Sequence, residues 1–116
     1  MQTNIIVNLQ VDGIHYWEGV TEHSELKEVD FLQYPHRHMF HITAKMLVSH
    51  DDRDVEIIML KRKIIKYLYR YWNDTKNCYH FGGMSCEMIA RELLDNFGLC
   101  YCSVLEDNEN GAEIYV

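Results

Sequence analysis

Directly behind the only proline of the chain, residues 36–48 read His-Arg-His-Met-Phe-His-Ile-Thr-Ala-Lys-Met-Leu-Val. No other stretch limits the fold so sharply. Apolar residues fall on every second position, at Phe40, Ile42, Ala44, Met46 and Val48. That period of two predicts a strand with one face in a core. If the strand runs from Pro35, His36 and His38 share the face of Phe40 and Ile42, and Arg37, Met39 and His41 take the other. Two imidazoles two residues apart on one face can meet at a single ion. The ordinary alternative is a pair of hydrogen-bonded histidines in the core or at an interface.

The remaining segments supply partners for this strand. Ile5 to Val11 alternates in the same way and predicts a first strand, with Asp12-Gly13 as a turn or bulge after it. Ile14-His15-Tyr16-Trp17 follows, and then Glu18 to Asp30, polar and charged, reads as a long connection. Val55 to Met59 is a short extended piece or the run into a helix. Leu60, Ile64, Leu68 and Trp72 recur at every fourth position and predict an amphipathic helix over 60–72. Its other face carries Lys61, Arg62, Lys63 and Lys66, a solvated stripe or a contact for an acidic neighbour. Asn73 to Met84, with Gly82-Gly83, reads as a loop. Ser85 is placed to cap a second helix that ends at Gly98. Leu99 to Glu106 predicts a strand, Asn108 to Gly111 a turn with the hairpin dipeptide Asn-Gly, and Ala112 to Val116 a closing strand.

The expected fold is therefore α+β, one domain over residues 1–116. A four-stranded antiparallel sheet carries two helices on one face, in the order ββααββ. Such a sheet leaves two edges and a second face open, so self-association is expected. The net charge of −7 makes polymeric nucleic acid an unfavourable partner. No apolar run reaches the ~20 residues of a membrane span, and no signal peptide is visible at Met1-Gln2-Thr3-Asn4. The four cysteines, at 78, 86, 100 and 102, form no Cys-x-x-Cys pair and read as reduced thiols of a cytoplasmic protein.

Taken in order, these segments resemble the tunnelling fold of the 6-pyruvoyl- and 6-carboxy-tetrahydropterin synthases. Gly13-Ile14-His15 falls where that family has its first zinc histidine, and His36-Arg37-His38-Met39-Phe40 where it has His-Gly-His-Asn-Tyr. Met84-Ser85-Cys86-Glu87-Met88-Ile89-Ala90 is similar to its Pro-Thr-x-Glu-x-x-Ala. Ser103-Val104-Leu105-Glu106-Asp107 is similar to the strand whose glutamate anchors the pterin ring, with Gly111-Ala112-Glu113 behind it. Two parts depart from the pattern. The family's catalytic cysteine lies a few residues before its His-x-His, and 30–35 contains none. Its Leu-Asp-His after the first helix is replaced by Tyr71-Trp72-Asn73-Asp74-Thr75. The chain also resembles small phage-encoded proteins that carry the same His-x-His and Glu-Asp-Asn-Glu-Asn-Gly.

The resemblance implies zinc on His15, His36 and His38, and a homo-oligomer of six subunits. Glu106 is then the candidate for ring N–H groups, and Tyr16 and Trp17 offer flat faces for stacking. Arg37 and Arg53 are candidate phosphate ligands, because a guanidinium binds phosphate bidentately. With the catalytic set missing, the expectation is a non-catalytic protein holding a purine-, pterin- or nucleotide-type molecule between subunits. In a phage such a protein would sequester a host immune nucleotide signal. The alternatives are a divergent zinc enzyme of pterin-synthase type and a structural oligomer without ligand.

Overall fold

A computed structural model describes residues Met1–Val116. In chain order it contains β1 (Thr3–His15), β2 (His36–Val48), α1 (Ile57–Leu68), β3 (Trp72–Asn73), β4 (Cys78–Gly82), α2 (Cys86–Phe97), β5 (Tyr101–Glu106) and β6 (Asn110–Tyr115). Short 3-10 turns occupy Glu18–Glu22, Ser24–Gln33 and Tyr69–Tyr71. The α+β class agrees with the sequence reading, but the sheet has six strands, not four, in the order β3-β4-β1-β2-β5-β6. It is also not wholly antiparallel, because β4 runs parallel to β1.

β4 comes from the segment read as a loop, and β3 from its junction with the expected helix, Trp72–Asn73. β4 buries only Cys78 and Phe81, three residues apart, so it carries no period of two. It holds its place by pairing with the last three residues of β1, Gly13 to His15. A parallel partner requires a long crossover, here through β2 and α1. Nothing local in the sequence announces such a pair.

β1 also runs further than its apolar pattern. It continues through Asp12-Gly13, where a turn or bulge was expected, and pairs with β2 in unbroken register from Thr3↔Val48 to His15↔His36. Gly13 serves packing here. A Cβ on it would stand 2.7 Å from a ring carbon of Phe81 and 3.1 Å from Phe40, closer than side chains pack.

α1 starts three residues earlier than expected. The Glu56 carboxylate accepts the Met59 N–H at 2.8 Å and caps it. Trp72 leaves the helix for β3. At α2 the cap is Ser85, which accepts the Met88 N–H at 3.2 Å. Gly98 closes the helix at φ 60°, the left-handed conformation that favours glycine.

Both helices lie on one face of the sheet. Leu60, Ile64 and Leu68 of α1 and Ile89, Ala90 and Leu93 of α2 pack on Val7, Leu9, Val11, Phe40, Ile42, Ala44, Cys102 and Val104. The other face is largely polar; there Thr43 donates a 2.6 Å hydrogen bond to Asn8. Two sheet edges are open, β6 on one side and, because β4 reaches only Gly13 to His15, residues 3–12 of β1 on the other. No helix is long and apolar enough to cross a membrane, and all four cysteines are free.

The β5–β6 turn is shifted from its expected place. Asp107 and Asn108 take positive φ, 56° and 58°, and the Glu109 N–H returns to the Glu106 carbonyl at 2.9 Å. Asn and Asp tolerate this region better than other side-chain-bearing residues. Asn110-Gly111, the expected turn centre, lies in β6 instead. A Cβ at Gly111 would sit 1.9 Å from the Val104 carbonyl oxygen. Backbone cannot rotate away as a side chain can. Gly111→Ala is therefore expected to cost about 3 kcal/mol or more, read as a lower midpoint in urea. A cost within about 0.5 kcal/mol, typical of a neutral surface site, would show that the hairpin tolerates a side chain there.

Candidate metal centre

The register of three neighbouring strands builds one cluster at one end of the sheet. His15 is the last residue of β1, His36 the first of β2, and the two are paired. His38 follows on the same face, and Glu106, the last residue of β5, is paired with Phe40 of β2. All four side chains point to the core face, where alternation sends residues in step with Val11, Phe40 and Val104. Their nearest ligand atoms lie within 4.8 Å of one another. The ring centroids are 4.6 Å apart for His15–His36, 5.1 Å for His36–His38 and 5.5 Å for His15–His38. The wholly buried Phe40 lies edge-on beneath His15 and His38, at 5.1 and 5.8 Å.

Each imidazole is held from behind by an oxygen. His15 Nδ1 lies 2.9 Å from the Met84 carbonyl, His36 Nδ1 2.8 Å from the Tyr34 carbonyl, and His38 Nδ1 2.7 Å from Asp107 Oδ2. Carbonyl and carboxylate oxygens only accept, so all three Nδ1 atoms carry the proton and donate it. In the neutral ring that leaves the Nε2 lone pair free to face the cluster. This outer hydrogen-bond pattern is the one that orients histidines on a metal. Asp107 does its part from the strained turn. Its other oxygen accepts the Met39 N–H at 3.0 Å. These bonds, first that from His38, hold its carboxyl below the usual carboxylate range.

His15 shows how the cluster could take a cation. Its Nε2 is buried without a hydrogen-bond partner, yet it stands 2.8 Å from Glu106 Oε2. With the proton on Nδ1 this is lone pair against lone pair. The contact becomes favourable only if a proton or a metal ion lies between. Burial, the largest effect on this group, lowers the His15 pKa and so disfavours the added proton. His38 Nε2 is 3.7 Å from the same oxygen. Three imidazole nitrogens and one carboxylate could hold a metal ion, and the donor set is one that zinc accepts.

A cavity of about 490 Å³ opens beside the cluster, lined among others by His15, His36 and Glu106, by Tyr16, Trp17 and Leu32, and by Met84 to Met88 at the start of α2. The chain after β1 is tied there by Tyr16 N–H to the Gly82 carbonyl at 2.9 Å and Trp17 N–H to the Leu32 carbonyl at 2.7 Å. The expected stacking pair, Tyr16 and Trp17, is therefore on the cavity wall. The two candidate phosphate ligands are elsewhere. Arg37 points to the opposite face and forms a bidentate pair with Asp12 at 2.6 Å. Arg53 sits at positive φ in the turn after β2, paired with Asp52 at 2.6 Å. A strand of thirteen residues separates that turn from the cluster, roughly 40 Å. His41, the third histidine of the motif, lies on the outer face with Thr43.

Two contributors were not singled out from the sequence. Asp107 enters the sequence reading only as the residue after Glu106, and its hold on His38 depends on the pairing of β2 with β5. Cys86, read only as one of four reduced thiols, lines the cavity. Burial, with help from Glu106 and Glu87, pushes its thiol up to about 12. No protein-family model matches the chain, and no curated protein matches it either.

Proposed function

We propose that this protein is a non-catalytic small-molecule-binding protein. In this reading it holds a zinc ion on His15, His36 and His38 and a purine-, pterin- or nucleotide-type ring in the adjoining cavity. The observation that carries the reading is the convergence of three oriented Nε2 atoms and one carboxylate at the wall of a ligand-sized cavity. Tyr16 and Trp17 supply flat apolar faces, and Glu106 and Glu87 supply acceptors for ring N–H groups. Glu106 serves both parts of the site, since it touches His15 and lines the cavity. The open edges of β1 and β6 favour association of copies, which would place the cavity between subunits.

Binding rather than turnover is supported by the one thiol on the cavity wall. In the metal-free chain that thiol, pushed up to about 12 chiefly by burial, is protonated at neutral pH. The second reading, a zinc enzyme of pterin-synthase type, draws on the same residue, because Cys86 does stand beside the cluster.

One experiment separates them. Zinc-loaded protein is incubated with 7,8-dihydroneopterin triphosphate and, separately, with a panel of cyclic nucleotides, then heated, and the released molecules are analysed by mass spectrometry. The expected result is a bound molecule recovered intact, with affinity weakened by Glu106→Gln about 30- to 1000-fold, or roughly 2–4 kcal/mol. A new pterin product would replace the binding reading with the enzymatic one. Absence of binding in both panels would favour a structural oligomer.

A further inference from the structure

α1 is apolar on two sides, and only one of them is used. Leu60, Ile64 and Leu68 face the core. On the opposite side Ile58, Arg62 and Ile65 follow at helical spacing, with Tyr69 continuing the line into the 3-10 turn. Ile58 is 56% exposed, Ile65 39% and Tyr69 59%. The flanks of this stripe are basic. Residues 57–70 contain Lys61, Arg62, Lys63, Lys66 and Arg70, five of the eleven basic residues of the chain, and none of the eighteen acidic ones. An exposed apolar stripe framed by one sign of charge marks an interaction surface.

The complementary surface is on the same chain. Between Glu18 and Asp30 stand five acidic residues and one lysine. The turn Ser24–Gln33 buries none of its residues, and the two 3-10 turns pack chiefly on each other. Exposed aromatic side chains stand beside the acids, Trp17 before them and Phe31 and Tyr34 after. The molecule as a whole is elongated. The radius of gyration is 15.8 Å, against roughly 13 Å for a compact chain of this size. Within the arm Val20 alone is buried, and its exposed side chains gain by docking elsewhere.

We infer that the outer face of α1 is a docking surface for a second copy of this chain, and that it receives the acidic Glu18–Asp30 arm of that copy. The apolar stripe Ile58, Ile65, Tyr69 meets Phe31 and Tyr34, and Arg62 and Lys66 meet Glu25 and Glu28. The contact joins two different surfaces and so propagates from copy to copy. It is separate from the open sheet edges.

Charge reversal in the full chain tests it, with sedimentation equilibrium as the readout. Arg62→Glu with Lys66→Glu forms one variant, Glu25→Lys with Glu28→Lys a second, and all four changes together a third. These side chains are on the surface, and circular dichroism melts verify that each variant folds. Each double variant is expected to weaken assembly about tenfold, and the fourfold variant to return to wild-type assembly within about threefold. Wild-type assembly is expected to weaken as salt is raised. A monomeric wild type, assembly unchanged by either reversal, or loss that the fourfold variant does not restore would each overturn the inference. Salt-sensitive pelleting of wild type with phosphatidylserine vesicles, lost in the α1 variant but kept in the arm variant, would overturn it in favour of a membrane surface.

Discussion

His15→Ala and His38→Ala are each expected to abolish stoichiometric zinc binding, because each removes one of three nitrogens that no other side chain can replace. Wild-type protein dialysed against zinc is expected to carry close to one equivalent per chain by plasma mass spectrometry. The loss in either variant is expected to exceed the 10- to 100-fold typical of outer hydrogen-bond partners. Asp107→Ala falls within that lower range, since it frees the His38 ring but leaves all the ligands in place. Zinc that binds the native state alone, at about a thousand times its Kd, adds about 4 kcal/mol of stability, roughly 10–25 °C in Tm for a chain of this size. That increment is expected in wild type, to vanish on chelation, and to be absent in the two histidine variants. Arg37→Ala is the control, because Arg37 lies on the other face of the sheet. Undiminished zinc in a His15→Ala, His38→Ala double variant would show that the ion sits elsewhere.

The pH dependence has a definite sign. Burial lowers the His15 pKa in the folded state, so the unfolded chain binds its proton first as pH falls. Stability from this group is then complete above the ordinary value of ~6.5 and is lost as pH drops below it. Competition of protons with zinc for the imidazoles acts in the same direction.

Phe40→Ala is expected to cost about 3–5 kcal/mol, the largest effect of any single core truncation here. Phe40 has no exposed surface, and its ring meets Phe81 at 5.2 Å as well as His15 and His38. Its removal leaves a cavity directly under two ligands. A weaker metal site is therefore expected alongside a lower urea midpoint. A loss below about 1 kcal/mol would mean that Phe81 and Gly13 collapse into the space.

Much of the scaffold was legible because it rests on local patterns. The period of two from Phe40 to Val48 identifies β2 and assigns His36 and His38 to the core face, as found. The every-fourth-residue spacing of Leu60, Ile64 and Leu68 gives the buried face of α1. Ser85 and Gly98 mark the ends of α2 because a side-chain acceptor and a left-handed residue satisfy helix termini wherever they occur. Asp12-Gly13 misled because a glycine required for close packing on Phe81 looks, in sequence, like one required for a turn.

The sequence by itself determined which residues face inward along β2, and with that the pair His36 and His38, while His15 and Glu106 entered through the family resemblance. Side-chain direction in a strand or helix depends only on near neighbours along the chain. The tertiary structure alone decided which candidates meet. The pairing of β1 with β2 sets His15 against His36, the pairing of β2 with β5 brings Glu106 to His15 and Asp107 to His38, and the parallel docking of β4 completes the sheet. It also removed Arg37 and Arg53 from the site by placing one on the outer face and the other at the far end of β2. Registers between segments as many as 67 residues apart are settled by packing of the whole core, and no local period in the chain records them.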